Sequence, residues 1–138
     1  EHVEDTGMRV LVENTAGGKN SVARYMDSIE RLWEVIGHLN VGLCLDTCHT
    51  CAGGIPTIDA VKGFKKLVKK IDLIHFNDSK DGFESSRDRH ENLGKGKIPK
   101  EELEYVIKNA KTDIIVETPN GPDAQKKDIA WIKRRLKK

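Results

Sequence analysis

The stretch VGLCLD, residues 41–46, is an apolar run that ends in a carboxylate, Asp46. Three other apolar runs carry a metal-type ligand at the same place: RVLVEN at Glu13, LIHFND at His75 and IIVET at Glu117. Near-continuous apolar runs that alternate with helices are typical of a parallel sheet covered by helices. Because the strand ends of a parallel barrel face one shared volume, we expect these four side chains to converge there.

Strand, loop and helix follow one another four times along the chain. The predicted strands are residues 9–13, 41–45, 73–76 and 114–116. Apolar residues at helical spacing predict helices over residues 21–36, from Thr57 as a cap to about residue 68, after Pro99, and over residues 123–136. The last helix is expected to turn Ile129, Ile132 and Leu136 inward, and a long polar loop covers residues 77–97.

Four β/α units make half of an eight-fold barrel, which takes about 250 residues. The chain has 138 residues, so we predict an α/β fold in which residues 1–138 form a single domain, half of a TIM barrel. A flavodoxin-like open sheet is the alternative, but such a sheet collects its site at one crevice and not at every strand end. A half barrel leaves two unpaired edge strands, which predicts association of two copies or poor solubility.

Net charge, apolar runs and cysteine content restrict the class of protein further. The net charge of +2 does not indicate a nucleic-acid binder by overall charge, and no apolar run reaches the roughly 20 residues of a membrane span. Three cysteines without a secretion signal favour a reducing compartment, so we expect a cytoplasmic protein, associated with the nucleoid if bacterial. The first residue is Glu1, which suggests that the sequence starts inside a longer protein.

A second set of ligand types lies outside the strand ends. Asp88 and His90 stand at i and i+2, a spacing that turns both side chains to one side of an extended loop, and His49 follows Asp46 by three residues. Individually, each acid is also compatible with a loop or helix cap, and His75 with a core histidine. Together, buried carboxylates would repel one another without a cation. Oxygen and imidazole donors favour zinc or manganese over magnesium.

Two other patterns involve the cysteines and the cations of the long loop. Cys44, Cys48 and Cys51 have the spacing C-x3-C-x2-C of the radical SAM iron–sulfur motif, but a cysteine inside a strand is more typical of a small buried apolar residue. The cations Arg87, Arg89 and Lys95 flank the ligands of the long loop. Arginine there would hold a phosphodiester through charge-assisted hydrogen bonds.

The motifs VENTAG, DTCH, HFND, DRH followed by LGKG, and VETP resemble those of the endonuclease IV family of apurinic/apyrimidinic endonucleases, in order and over essentially the whole chain. The resemblance implies the C-terminal half of a TIM barrel with a site for three zinc ions. It also implies cleavage of double-stranded DNA at the phosphodiester 5′ to an abasic site. After DTCH the sequence departs from the family pattern, which leaves the details of that loop open.

The resemblance also implies roles for individual residues. Glu13 would bridge two ions and act in catalysis together with Glu117. The ligands of the second ion would be Glu13, Asp46, His75 and Glu117, and those of the third His49, Asp88 and His90. The first ion of the family uses two histidines from the N-terminal half, which this chain lacks; His2 and His38 match no such motif and are expected at the surface. The isolated chain is therefore expected to be inactive.

Two alternatives stay open from the sequence. A sugar isomerase on a related divalent-metal barrel also uses Glu, Asp and His at strand ends, although the DRH loop would then have no purpose. The third possibility is a fragment that binds metal or DNA without turnover.

Overall fold

The computed structural model describes residues 7–137 of the chain. Four parallel strands form one sheet, and its spatial order is the order of the chain. The strands are Val10–Glu13 (β1), Val41–Asp46 (β2), Leu73–Phe76 (β3) and Asp113–Val116 (β6). A flavodoxin-like sheet would reverse its strand order at a switch point. The described sheet does not reverse, so the predicted α/β fold of parallel β/α units, a partial TIM barrel, is confirmed.

Five helices occur among the described residues. They are Met26–Ile36 (α1), Thr47–Gly53 (α2), Thr57–Val68 (α3), Lys100–Asn109 (α4) and Gly121–Leu136 (α5). The long loop contains a two-residue antiparallel ribbon, in which Asp78–Ser79 (β4) pairs with His90–Glu91 (β5). This ribbon returns the loop to the sheet and brings His90 close to the end of β3.

Alternation along the strands separates the core from the site. Leu45, Ile74 and Phe76 are fully buried in the cluster that packs against the helices, together with Phe64 of α3. The residues between them point to the opposite face of the sheet, because successive strand side chains alternate. In the register of the sheet, Asp46 lies beside His75.

The predicted start of α1 was wrong by five residues. The helix begins at Met26, and residues 21–25 are not helical. Arg24 explains the difference, because its guanidinium reaches away from the helix to the Gly53 carbonyl at 3.2 Å and the Ser86 hydroxyl at 2.8 Å. The backbone of Ala23 also accepts a hydrogen bond from the Thr15 N–H. These tertiary contacts hold the segment in a turn.

Two further details differ from the sequence prediction. Thr57 does not cap α3: the N-cap is Pro56, and the Thr57 N–H donates to the Glu102 carboxylate at 2.7 Å. In α5 only Ile132 of the three predicted inward residues is buried. Ile129 is 41% exposed and Leu136 is 57% exposed, because no described element covers that side of α5.

The sheet has two open edges, β1 and β6, as predicted. Val10 on β1 and Ile115 on β6 are both about half exposed. His38 is exposed, whereas His2 lies outside the described residues. Within residues 7–137, no helix has both the length and the apolar character needed to cross a membrane.

Candidate metal centre

The four strand-end residues meet at the carboxyl ends of the strands. One ligand atom from each of Glu13, Asp46, His75 and Glu117 lies within 4.8 Å of the others. The Nδ1 atom of His75 is central: it lies 2.9 Å from Glu13 Oε1 and 3.3 Å from Glu117 Oε2. Parallel pairing produces this convergence, because each residue closes its strand at the same end of the sheet.

The second set of predicted ligands lies directly beside the first. Asp88 contacts two imidazoles, with Oδ2 at 3.0 Å from His49 Nε2 and Oδ1 at 3.1 Å from His90 Nε2. Ligand atoms of Asp46, His49 and His90 also lie within 4.8 Å of one another, so Asp46 borders both sets. The structure thus brings all seven predicted donors into one connected cluster.

Hydrogen bonds orient the histidines of the second set. Nδ1 of His49 lies 2.8 Å from the Asn14 carbonyl, and Nδ1 of His90 lies 2.8 Å from the Glu117 carbonyl. A carbonyl only accepts, so each Nδ1 carries a proton, and each Nε2 faces Asp88. Imidazoles that bind metal are commonly oriented in this way by a partner on the other nitrogen.

Asp46 has two functions in the structure. Its Oδ1 accepts the His49 N–H at 2.8 Å and caps α2, while its Oδ2 faces the donor cluster and accepts from Asn77 Nδ2 at 2.7 Å. The amide of Asn14 bonds to both the N–H and the carbonyl of Asp46. Sequence reasoning missed both asparagines. The only signal was their place next to strand-end ligands in VENTAG and HFND.

The carboxylates of the donor cluster lack lysine or arginine partners among the described residues. Asp46 is fully buried, and burial raises the pKa of this carboxyl above its usual value against the opposing influence of His49. Burial alone would lower the pKa of His49, but the charge of Asp46, the hydrogen bond to the Asn14 carbonyl and the charges of the other acids together raise that pKa. Among the described residues, only histidines pair with Glu13, Asp46, Asp88 and Glu117; no lysine or arginine does.

These features fit a divalent cation. The His49 Nε2 atom is buried without a hydrogen bond of acceptable geometry, although it lies 3.0 Å from an Asp88 oxygen. Two ligands of one ion would show this arrangement, since both point at the ion and not at each other. The donors are carboxylate oxygens and imidazole nitrogens, a set that suits zinc or manganese.

The cysteines differ from the donors in character. All three are buried free thiols, and burial is the largest cause that raises the pKa of Cys44 and of Cys48 to about 12 and that of Cys51 to about 11. Thiolates are the form that binds iron–sulfur clusters. The interpretation of these cysteines as small buried residues therefore agrees with their environment, although Cys44 and Cys48 border the donor cluster.

The three predicted phosphate-binding cations are exposed. Arg89 is engaged by Asp81, with Nε at 2.6 Å from Oδ2, and its guanidinium holds the pKa of Asp81 below the usual value. Arg87 lies 3.7 Å from the same carboxylate. Lys95 is exposed and forms no ion pair within the described part of the chain. A phosphate would therefore compete with Asp81 for both arginines.

A parallel β/α sheet of partial-barrel type with oxygen and imidazole donors at its strand ends defines an α/β-barrel protein with a candidate metal centre. The chain belongs to the xylose isomerase-like TIM barrel family, whose model matches residues 1–135.

Known proteins confirm the resemblance to endonuclease IV. "Probable endonuclease 4" of Mycobacterium bovis is 47% identical over 131 residues, which cover 95% of this chain and 51% of the relative. The crystal structure of endonuclease IV from Thermus thermophilus superimposes with a TM-score of 0.77 at 30% identity, over 94% of this chain and 50% of that one. The chain thus spans about half the length of the curated relatives it matches.

A third protein is similar in fold alone. The crystal structure of a D-tagatose 3-epimerase-like protein has a TM-score of 0.76 but only 21% identity, over 97% of this chain and 49% of that one. Proteins with different names therefore share this fold, and the function has to be argued from the site.

Proposed function

We propose that this chain is the C-terminal, metal-binding half of a DNA-repair phosphodiesterase of the endonuclease IV type. As a single domain of four β/α units, residues 1–138 supply the complete ligand sets of two zinc sites, with manganese as the alternative ion. The substrate is double-stranded DNA that contains an abasic site, and the bond hydrolysed is the phosphodiester on its 5′ side. The observation that carries the proposal is the convergence of seven oxygen and imidazole donors in one cluster.

The residues divide into two sites. Glu13, Asp46, His75 and Glu117 hold one ion, and His49, Asp88 and His90 hold the other. When bound, divalent cations at such sites supply a water of lowered pKa and offset charge on phosphate oxygens. Glu13 and Glu117 would act as the catalytic carboxylates; both approach the same nitrogen of His75, at 2.9 Å and 3.3 Å.

The second donor set favours a nuclease over a sugar isomerase. His49, Asp88 and His90 would hold a further ion beside the first site, which suits the hydrolysis of a phosphodiester, whereas an isomerase has no need of the DRH loop. The exposed Arg87, Arg89 and Lys95 would provide cations for the DNA backbone. The 47% identity to a relative named endonuclease supports the same class.

The test uses a fusion, because the chain spans half of its relatives. The N-terminal half of the Mycobacterium bovis relative would be joined to this chain and incubated with zinc and a labelled duplex carrying one abasic site. We expect incision on the 5′ side, and we expect Glu117→Gln and Glu13→Gln to reduce the rate at least a hundredfold. Glu101→Gln, in the exposed first turn of α4, serves as the matched control and should cut normally.

Several outcomes would contradict the proposal. Normal cutting by Glu117→Gln would remove that residue from catalysis. A folded, metal-loaded fusion that leaves abasic duplex intact but interconverts ketoses would place the chain in the sugar isomerase class. The chain without a fused half is expected to bind metal but not to cut.

A further inference from the structure

The side chain of Asn77 contacts both proposed ion sites. Asn77 directly follows β3 and is fully buried. Its Oδ1 accepts the backbone N–H of Cys48 at 2.7 Å. Because a backbone N–H can only donate, this contact fixes which end of the amide is oxygen, and the Nδ2 group must face the donor cluster.

The Nδ2 group acts on ligands of both sites. It donates to Asp46 Oδ2 at 2.7 Å and lies 3.3 Å from Nδ1 of His90. The Oδ1 contact holds the first turn of α2, and that turn carries His49. One amide therefore bonds directly to Asp46, lies beside His90 and holds the backbone next to His49.

The backbone of Asn77 strengthens this link. The Thr47 hydroxyl donates to the Asn77 carbonyl at 2.6 Å and lies 3.0 Å from the Asn77 N–H. The end of β3 and the start of α2 are thereby joined by both side chain and backbone, and all these groups are buried. A buried network in which every member is bonded is rigid, and the loss of one member leaves its partners unsatisfied.

We propose that Asn77 is a positioning residue that couples the two ion sites, so that its loss weakens the binding of both ions together. The assignment of two sites rests on the proposed function. Asn77 bonds to Asp46, a ligand of one site, and holds the helix turn that carries His49, a ligand of the other site. Replacing a partner of this kind typically lowers metal affinity by about 10–100-fold.

The test is a metal titration that does not depend on nuclease activity. Metal-free chain would be titrated with Co²⁺, followed by visible absorption, and with Zn²⁺, followed by calorimetry. Asn77→Ala is expected to weaken both binding events by about 10–100-fold and to alter the Co²⁺ spectrum. Asn77→Ser, which keeps a small polar group in the space, is a second variant for the case that the alanine chain does not fold.

The control removes a buried hydrogen bond elsewhere. Thr57 is fully buried and its hydroxyl bonds to Thr50, outside the donor cluster. Thr57→Val should lower stability while leaving both affinities and the Co²⁺ spectrum at wild-type values. Circular dichroism on all variants separates loss of fold from loss of metal.

Each remaining outcome has one meaning. A folded Asn77 variant that binds both ions within threefold of wild type, with an unchanged spectrum, overturns the proposal. Weaker binding at only one of the two sites would overturn the proposed coupling. A wild-type chain that takes up no metal contradicts the proposed function and the positioning role with it, whereas normal metal binding without DNA incision by the fusion contradicts the nuclease assignment alone.

Discussion

Asp46→Asn tests whether the buried acid exists to hold a cation. In the metal-free chain the charge of Asp46 is unfavourable, because burial raises the pKa of this carboxyl. A raised folded-state pKa means that the native chain binds more protons than the unfolded chain. The resulting loss of stability is present at neutral pH and disappears as the pH falls through the raised pKa toward the ordinary aspartate value.

The size of the effect follows from the contacts. Asparagine can keep the bond from the His49 N–H, but its amide nitrogen then meets the Asn77 nitrogen, so one hydrogen bond is lost. That loss costs about 1–3 kcal/mol, and removal of the buried charge opposes it, so the metal-free stability should change by no more than about 2 kcal/mol. With metal at about 100 times its Kd, the wild type gains about 2.7 kcal/mol for each site.

Thermal unfolding with and without zinc measures both effects. For a domain of this size, a gain of about 2.7 kcal/mol corresponds to a rise in Tm of roughly 10 °C. With both sites filled, the wild-type Tm should therefore rise by roughly 20 °C. We expect Asp46→Asn to lose about half of this rise, the share of the site formed by Glu13, Asp46, His75 and Glu117. The control Asp59→Asn, at an exposed position of α3, should behave as the wild type. An undiminished zinc-induced rise in Asp46→Asn would refute the reasoning.

Three other perturbations test the core, the thiols and the sheet edges. Phe64 is fully buried, so Phe64→Ala should lower the free energy of unfolding, measured in urea, by about 3–5 kcal/mol. Phe83 is 54% exposed, so Phe83→Ala should lower it by less than about 1 kcal/mol. Equal losses would contradict the core assignment. With the thiol pKa of all three cysteines at about 11–12, iodoacetamide at pH 8 should label the folded chain far more slowly than the unfolded chain, and rapid labelling of the native protein would show an open thiol. The open edges of β1 and β6 should make the isolated chain associate, so light scattering should give about twice the chain mass. Ile115→Lys, on the β6 edge, should weaken this association. A strictly monomeric wild type would contradict the prediction.

The sequence predicted those elements whose environment is two-sided. β3 was predicted at its observed bounds from a short apolar run, and α3 was predicted to within one residue at its start, because helical periodicity reflects one buried and one exposed face. The helix α2 escaped this reasoning. Six of its seven residues are buried, so it has no amphipathic pattern. Only two residues mark the ends of α2: Asp46 caps its N-terminus, and Gly54, in the left-handed conformation, follows its last residue.

The donors of the candidate site were predictable for a different reason. A strand end in a parallel sheet has a known direction, so the residue type at each strand end was enough to predict that Glu13, Asp46, His75 and Glu117 meet. The roles of Asn14 and Asn77 were not predictable, because each depends on a contact across more than 30 positions of sequence. The exposed Ile129 was mispredicted because periodicity identifies an apolar stripe but not what covers it.

Anomalous diffraction from crystals grown with zinc would test the metal centre most directly. We predict two peaks at the carboxyl ends of the strands, each with donor atoms at about 2.0–2.2 Å. The ligands expected are Glu13, Asp46, His75 and Glu117 for one ion, and His49, Asp88 and His90 for the other. No peak at this cluster, or zinc bound elsewhere on the chain, would contradict the assignment.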